Sequence, residues 1–246
     1  MRRKFSFDSQ YGFRIAVLAA AAAALPLVAT APTWASTTYY WDPTGTQTET
    51  GGGNGTWDTT TSNWYPGTGT ADVPWVNGSA SDANFIANST TLGYTVTMAS
   101  GASITAGSLT FTPTSDSYGV QINAPSTTGG AASLDIGTVY VSTHGGTVTF
   151  GPSSGGGSLA VTLGSIDNTG DGTAGIQVLG PKVTVDLTGS STGAITVDGG
   201  TLNVSTSAGF GSRLAFRAGT INALADMATS AIGELAGTVT FGGGWI

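Results

Sequence analysis

The residues of this 246-residue chain best suited to binding chemistry are tryptophans. Trp57 and Trp64 stand seven residues apart in the segment NGTWDTTTSNW, which otherwise holds only glycine and polar residues, and Trp75 follows. Exposed rings of this kind could stack on sugar rings as a glycan-binding platform. Alternatively, large amphipathic rings could cover the apolar end of a repetitive fold. Because the cluster lies near the N-terminus, we expect a cap, with Trp57 and Trp64 buried near Phe85 and the strand ending at Phe111.

A second candidate for chemistry is the segment DNTGDG, residues 167–172. It resembles the start of an EF-hand calcium loop, which needs oxygen ligands at positions 1, 3 and 5, glycine at position 6 and a carboxylate at position 12. Thr169 and Val178 occupy positions 3 and 12, so a hydrogen-bonded turn is favoured. The sequence leaves open whether Asp167 and Asp171 bind calcium.

No enzyme's set of residues is recognisable. His144 is the only histidine and has no evident ligand or base partner. A polysaccharide lyase needs a base and cations, and a glycosidase needs paired carboxylates. The carboxylates are instead spread singly along the chain. We therefore predict a protein that is not an enzyme, with no catalytic, cofactor-binding or metal-binding residues and no cofactor. Asn54-Gly55 and Asn77-Gly78 are typical of tight turns.

The first 35 residues are typical of a secretory signal peptide. Four basic residues precede an apolar run at residues 15–29, and Thr33 and Ala35 supply the small residues of a cleavage site. The run is short for a membrane span, which takes about 20 residues. We predict cleavage after Ala35, export, and no membrane span in the mature chain.

Composition then limits the class of protein. Without residues 1–35 the chain keeps three basic and thirteen acidic residues, a formal charge of −10. Three cations cannot neutralise a phosphate backbone, so nucleic acid is excluded as a partner. The absence of cysteine removes thiol nucleophiles and thiolate metal sites. Glycine contributes 39 residues and charged residues only 9%. Because β-branched and aromatic residues are frequent, we predict an ordered, secreted, all-β chain.

Short alternating segments such as YTVTM (94–98) predict strands with one buried side. The pattern Gly-Thr-apolar-x-apolar, exact or degenerate, begins at six positions spaced by 17–19 residues: 146, 164, 181, 200, 219 and 237. Such a period predicts a parallel β-helix or β-solenoid, whose rungs bury their apolar sides by stacking. A β-sandwich would instead place these strands in two facing antiparallel sheets. We expect one inward ladder of Val148, Ile166, Val183, Leu202, Ile221 and Val239.

The ordered tryptophan motifs resemble the N-terminal region of proteins with autotransporter-associated β-strand repeats, also called passenger-associated transport repeats. The matching segments are Trp41–Pro43, Gly55–Trp64, Trp75–Phe85 and Leu109–Phe111. Residues 193–205, GAITVDGGTLNVS, resemble the repeat itself. The resemblance implies a secreted or surface-displayed passenger segment. Since proteins of this kind are usually much longer, we expect the solenoid to continue beyond Ile246 in a longer protein.

Three regions are expected: a signal peptide at 1–35, a Trp-rich capping region at 36–111, and β-solenoid repeats at 112–246. The spacing of the repeats predicts rungs of about 18 residues. The expected function is that of a non-enzymatic, adhesin-like structural segment, secreted or at the cell surface. Its partner would be an unidentified surface or extracellular polysaccharide or protein. A glycan-binding module that uses the tryptophans is the alternative, and a polysaccharide-degrading β-helix enzyme is less favoured.

Overall fold

A computed structural model describes residues 35–87, 93–113, 119–141, 146–168, 174–205, 209–224, 228–235 and 238–241. Every regular element in these ranges is a β-strand, which confirms the all-β prediction. No helix in the described ranges is long and apolar enough to cross a membrane. Residues 1–34 of the predicted signal peptide, His144 and Asp171 lie outside the described residues.

The strands in chain order are β1 (Thr37–Trp41), β2 (Gly55–Trp57), β3 (Ser62–Tyr65), β4 (Val73–Pro74), β5 (Gly78–Ala87), β6 (Tyr94–Met98), β7 (Ser103–Pro113), β8 (Gly119–Asn123), β9 (Ala131–Val141), β10 (Thr147–Gly151), β11 (Ser158–Asn168), β12 (Gly175–Leu179), β13 (Val183–Leu187), β14 (Ala194–Val204), β15 (Gly209–Ala223), β16 (Ala228–Leu235) and β17 (Thr238–Phe241).

These strands form one long, unclosed and mostly parallel sheet. Each strand generally pairs with the strand two places along the chain, so the strands stack in three parallel columns. Column I contains β2, β6, β8, β10 and β12 and continues through β14, β15 and β16. Column II contains the first halves of β7, β9 and β11, then β13, the second halves of β14 and β15, and β17. Column III contains β1, β5 and the second halves of β7, β9 and β11. In the described residues, antiparallel pairing occurs only between β1 and β3 and between β3 and β4.

Glycines allow the strands that serve both column II and column III to stack. Gly107, Gly137 and Gly164 lie at the junction of the two columns, and each is close to the backbone of the preceding rung. A Cβ atom on Gly137 would lie 2.4 Å from the carbonyl oxygen of Gly107, and one on Gly164 would lie 2.2 Å from that of Gly137. No side chain fits at these distances, so glycine is required for the rungs to approach each other here.

The rungs do not keep one length. Near the N-terminal end of column II, the in-register partners Ser103 and Ser133 are 30 residues apart. Closer to the C-terminus, Asp186 and its partner Asn203 are 17 residues apart. The next partner, Asn222, follows after 19 residues. The predicted rung of about 18 residues is therefore right only from β13 onward. Earlier rungs are longer because each contains a third strand, in column III.

The predicted single ladder is consequently wrong upstream of β13. Val148 belongs to column I, where it pairs with Val120 and Ile176. Ile166 belongs to column III and pairs with Val139.

Closer to the C-terminus the prediction is nearly right. Leu202, Ile221 and Val239 form the expected column II ladder. Val183 lies in the same column but is not in register with Leu202. The partner of Leu202 is Val185, two residues further along β13. The members with described side chains are all buried, so the inward orientation was predicted correctly.

Column III ends at β11, and the following segment covers its edge. The amide of Ile166 donates to the carbonyl of Ser190 at 3.0 Å, and the amide of Thr192 donates to the carbonyl of Ile166 at 2.9 Å. The amide of Asn168 donates to the hydroxyl of Thr192 at 2.9 Å. An exposed strand edge would offer these groups to another chain. The segment between β13 and β14 therefore closes column III where the rung shortens.

On the outside of column II, polar side chains are hydrogen bonded from rung to rung. The amide group of Asn203 donates to the carboxylate of Asp186, and the amide group of Asn222 donates to Asn203 Oδ1 at 2.7 Å. The three residues are in-register neighbours on β13, β14 and β15. The two asparagines of this row satisfy neighbouring polar side chains and carry no charge themselves.

We expect Asn203→Asp to lower the free energy of unfolding by about 1–3 kcal/mol at pH 7, because it removes a donor and sets two carboxylates opposite each other. Urea unfolding measures the loss. Asn222→Asp is the matched control: its described partners, Asn203 and Thr240, carry no charge, so its loss should be smaller. Equal losses for the two variants would contradict the role given to Asp186.

Candidate functional site: the N-terminal aromatic cluster

The predicted tryptophans form one buried cluster. Trp57 and Trp64 have no exposed surface, and Trp41 and Trp75 are 1% and 2% exposed. The ring centroid of Trp64 lies 5.0 Å from Trp41, 5.0 Å from Trp57 and 4.8 Å from Trp75. Phe85 lies beneath them, 5.6 Å from Trp57 and 5.5 Å from Trp64. The expected burial near Phe85 is confirmed. The rings meet edge to face or tilted, so these four tryptophans present no open, coplanar stacking surface.

Different elements bring these rings together. Trp41 ends β1, Trp57 ends β2 and Trp64 lies on β3, where antiparallel pairing sets it opposite Trp41. The carboxylate of Asp58 shapes the turn between β2 and β3, because it accepts hydrogen bonds from the amides and hydroxyls of the two threonines that follow at positions 60 and 61. The side-chain amide of Asn63 donates to the carbonyl of Thr56 at 2.8 Å. Both side chains hold turns, as expected for Asp and Asn in such loops.

Two of the four indole N–H groups have a hydrogen-bond acceptor. Trp41 donates to the carbonyl of Gly53 at 2.8 Å, and Trp75 donates to the carbonyl of Thr105 at 3.2 Å. The N–H groups of Trp57 and Trp64 are buried and have no oxygen acceptor. Edge-to-face packing directs ring edges toward neighbouring ring faces, where an N–H group can interact with π electrons. The cluster is thus held mainly by apolar burial and ring geometry.

Around the cluster, side chains pair with the edges of the first strands. Asn54 Oδ1 accepts from the amide of Thr95, at the start of column I, at 2.8 Å. The side-chain amide of Asn77 forms hydrogen bonds with column II as the backbone of a neighbouring strand would. Its Oδ1 accepts from the amide of Thr105 at 2.9 Å, and its Nδ2 donates to the carbonyl of Ser103 at 2.8 Å. In column III, β1 pairs with β5 along its length. The N-terminal segment therefore supplies the first strands of columns I and III, β2 and β1, and a side-chain partner, Asn77, at the first edge of column II.

Asp42 anchors the loop after β1. It is fully buried, and its carboxylate accepts hydrogen bonds from the hydroxyls of Thr44 and Thr46 and from the amides of Gln47 and Thr48. Burial alone would raise the pKa of Asp42, but these hydrogen bonds outweigh it and lower the pKa below its ordinary value. The charged carboxylate is consequently part of the native loop.

A second carboxyl group lies near Asp42. Burial, and then the negative charge of Asp42, raise the pKa of Asp72 above its ordinary value. One Asp72 oxygen, Oδ1, is buried and has no hydrogen-bond partner. The surroundings therefore shift the pKa values of the two carboxyl groups in opposite directions. Hydrogen bonds favour the charged form of Asp42, and desolvation disfavours the charged form of Asp72.

The other predicted candidates do not join this cluster. The carboxylate of Asp167 accepts from the hydroxyl of Thr192 at 3.3 Å. Residues 169–173, which include Thr169 and Asp171 of the calcium-loop motif, are outside the described residues. Within the described part of the chain, no three His, Cys, Asp or Glu side chains are grouped closely enough to hold a metal ion together.

Two carboxylates that are distant in sequence do share one outward row. Asp135 and Asp186 each pair in register with Thr162, on opposite sides of it, so they lie two rungs apart, about 9.6 Å. Asp186 is hydrogen bonded to Asn203, and Asp135 is exposed. The sequence did not indicate this pair, because rungs of unequal length set its register.

The sequence also missed the edge-pairing role of Asn54 and Asn77. The Asn-Gly pattern predicts a turn at these positions, whereas Gly55 and Gly78 each begin a strand. The hydrogen bonds of both asparagines reach residues 26 to 41 positions away. A local pattern carries no information about such partners.

No protein-family model, curated protein sequence or solved structure matches this chain.

We expect Trp57→Ala to lower the free energy of unfolding by about 3–5 kcal/mol, the usual loss for a large buried aromatic side chain. Thermal and urea unfolding followed by circular dichroism would measure it. Val76→Ala is the control, since Val76 lies beside Trp75 but is 55% exposed and should change stability by no more than about 0.5 kcal/mol. Unchanged stability of Trp57→Ala would contradict a structural role.

Asp42→Asn should reduce stability at pH 7, because an amide group cannot accept all the hydrogen bonds that the carboxylate accepts. Since the folded pKa of Asp42 lies below its ordinary value of 3.8, its stabilising effect is present above about pH 4 and is lost as pH falls through the folded pKa. Urea unfolding from pH 7 to pH 2 should therefore show the wild type and the variant converging in acid. Asp135→Asn, at an exposed site, is the control and should change stability at pH 7 by no more than about 0.5 kcal/mol. A pH-independent difference for Asp42→Asn would refute the assignment.

Proposed function

We propose that this chain is a non-enzymatic structural segment: a parallel β-solenoid with an N-terminal aromatic cap, exported and either secreted or displayed at the cell surface. The observation that carries the proposal is the stack of three parallel columns, two of which begin with strands of the N-terminal segment, β1 and β2, while the side chain of Asn77 pairs with the first edge of the third. Such a stack is built for length and rigidity, since each rung contacts mainly its neighbours.

The aromatic cluster supports the cap. A solenoid's first rung has an apolar end and unpaired backbone groups, and atypical terminal elements usually cover both. Here Trp57 and Trp64 fill the apolar end and Phe85 links them to β5. Asn54 and Asn77 bind backbone groups of the adjacent strands. Because one segment performs both tasks, we infer that its role is structural.

Export and display are supported by the sequence. Residues 1–35 have the order of a signal peptide, and the outward side chains of the columns are mostly hydroxyl and amide groups. The resemblance to autotransporter-associated β-strand repeats suggests an adhesin-like passenger segment of a longer protein. Its partner would be an extracellular polysaccharide or protein, not nucleic acid, which the charge of the mature chain repels.

Glycan binding by the tryptophans is not favoured as a second function. Stacking on a sugar requires an accessible ring face, whereas Trp57, Trp64 and Trp75 are at most 2% exposed. A polysaccharide hydrolase would need a general acid and a second carboxylate beside a bound substrate. Asp135 and Asp186 are suitably spaced, but Asp135 is exposed and Asp186 is engaged by Asn203, so we do not assign them catalytic roles.

Export gives the direct test. When the full gene is expressed in a bacterium with a general secretion pathway, we expect the protein outside the cytoplasm, beginning at Ser36, as determined by mass spectrometry. Leu18→Arg places a charge in the apolar run and should leave an uncleaved chain inside the cell. Protease treatment of intact cells then distinguishes surface display from the periplasm. A wild-type protein that keeps residues 1–35 in the cytoplasm would overturn the proposal.

A further inference from the structure

A second surface lies on the outside of column III, away from the aromatic cluster. Two outward rows cross the four rungs from β5 to β11, and we call them together the Tyr140 face. In-register pairing places Asn84, Thr110, Tyr140 and Asp167 in one row and Asp82, Ser108, Thr138 and Ser165 in the other.

Tyr140 is the distinctive residue of this face. It is 39% exposed, and it is the only aromatic residue among the large, exposed hydrophobic residues of the described chain. Its in-register neighbours are Thr110 on one side and Asp167 on the other, about 4.8 Å away along the stack. Both side chains are shorter than tyrosine. The outer part of the ring therefore rises above the adjacent row positions and is accessible to a ligand.

Hydrogen-bonding groups surround the ring. In the neighbouring row the polar groups already pair with each other: Ser108 donates to Asp82 at 2.8 Å, and the hydroxyls of Thr138 and Ser165 are 2.9 Å apart. By contrast, the hydroxyls of Thr110 and Tyr140 hydrogen bond to no described residue. These two hydroxyl groups, with the carboxylate of Asp167 beside them, offer both donors and acceptors to a ligand.

The charge of the face limits the ligand further. Asp82 and Asp167 are its charged residues, and it has no lysine or arginine. Anionic ligands such as uronic acid polymers are therefore disfavoured. An apolar protein or lipid partner would need a contiguous apolar patch of several hundred Å². Between β5 and β11 these rows contain one ring among polar groups, and the next aromatic residue of the row, Tyr40 on β1, is three rungs from Tyr140. A neutral sugar carries no charge, and it combines an apolar ring face with hydroxyl groups. It therefore matches an aromatic ring that is bordered by hydrogen-bonding groups.

We propose that the Tyr140 face binds a neutral polysaccharide, with one sugar unit stacked on the Tyr140 ring and its hydroxyl groups hydrogen bonded to Thr110 and Asp167. The chain would run along the stack, because the rungs repeat the row positions at intervals comparable to the length of a sugar unit. This site does not involve the buried tryptophans and does not depend on whether they form a cap.

Affinity electrophoresis of the full chain in native gels tests the proposal. The gels would contain hydroxyethyl cellulose, mixed-linkage β-glucan or galactomannan, with polygalacturonate as the anionic comparison. We expect at least one neutral polymer, and not polygalacturonate, to retard the protein. Tyr140→Ala should weaken that binding about tenfold or more, through loss of the stacked ring. Tyr140→Phe keeps the ring and should stay within about threefold of the wild type.

Leu224→Ala is the matched control, since Leu224 is also exposed, at 52%, but lies after β15 and outside the Tyr140 face. It should bind like the wild type. Equal melting temperatures of all variants would show that the losses arise from binding alone. The proposal is overturned if none of the neutral polymers retards the protein, if Tyr140→Ala binds as well as the wild type, or if polygalacturonate retards it equally.

Discussion

Backbone hydrogen bonds between parallel strands are the interaction on which this structure depends. A strand inside a column uses its N–H and C=O groups on both sides, so each inner rung is completed by the rung before it and the rung after it. The first rung has no predecessor. Its open edges would bind other chains, a hazard that natural β-proteins avoid by covering such edges. In the described N-terminal segment, β1 and β2 begin columns III and I, and at the first edge of column II the side chain of Asn77 forms hydrogen bonds with β7 where no strand is present.

The same constraint explains how the rung can shorten within the stack. From β13 onward each rung lacks the column III strand, which leaves the second half of β11 without a successor. The segment at 188–193 supplies hydrogen bonds to Ile166 and Asn168 at that point. Columns I and II continue in register beyond it. A rung can therefore lose its column III strand without interrupting the sheet, provided that the strand edge left unpaired forms hydrogen bonds with another segment.

The sequence predicted those features that local pattern controls. Alternation identified the strands, and the inward orientation of Val148, Ile166 and Leu202 was right because it depends only on the two-residue period of a strand. Which column a strand joins depends on the length of the intervening turns, and the Gly-Thr pattern occurs in more than one column. At the cluster, burial of Trp57 was predictable from its place near the N-terminus. The edge contacts of Asn77 were not, because they are fixed by register across 26 to 28 residues.

Stacking also gives a physical reason for the unusual composition. Side chains in one outward row repeat at about 4.8 Å, a distance at which like charges repel and cannot turn away from each other. None of the described in-register pairs joins two acidic residues: Thr162 separates Asp135 from Asp186, and Asn203 follows Asp186. Hydroxyl and amide groups can occupy successive rungs and bond to each other, as Thr138 does with Ser165. A low fraction of charged residues, 9% of the chain, is therefore what a long parallel stack requires of its surface.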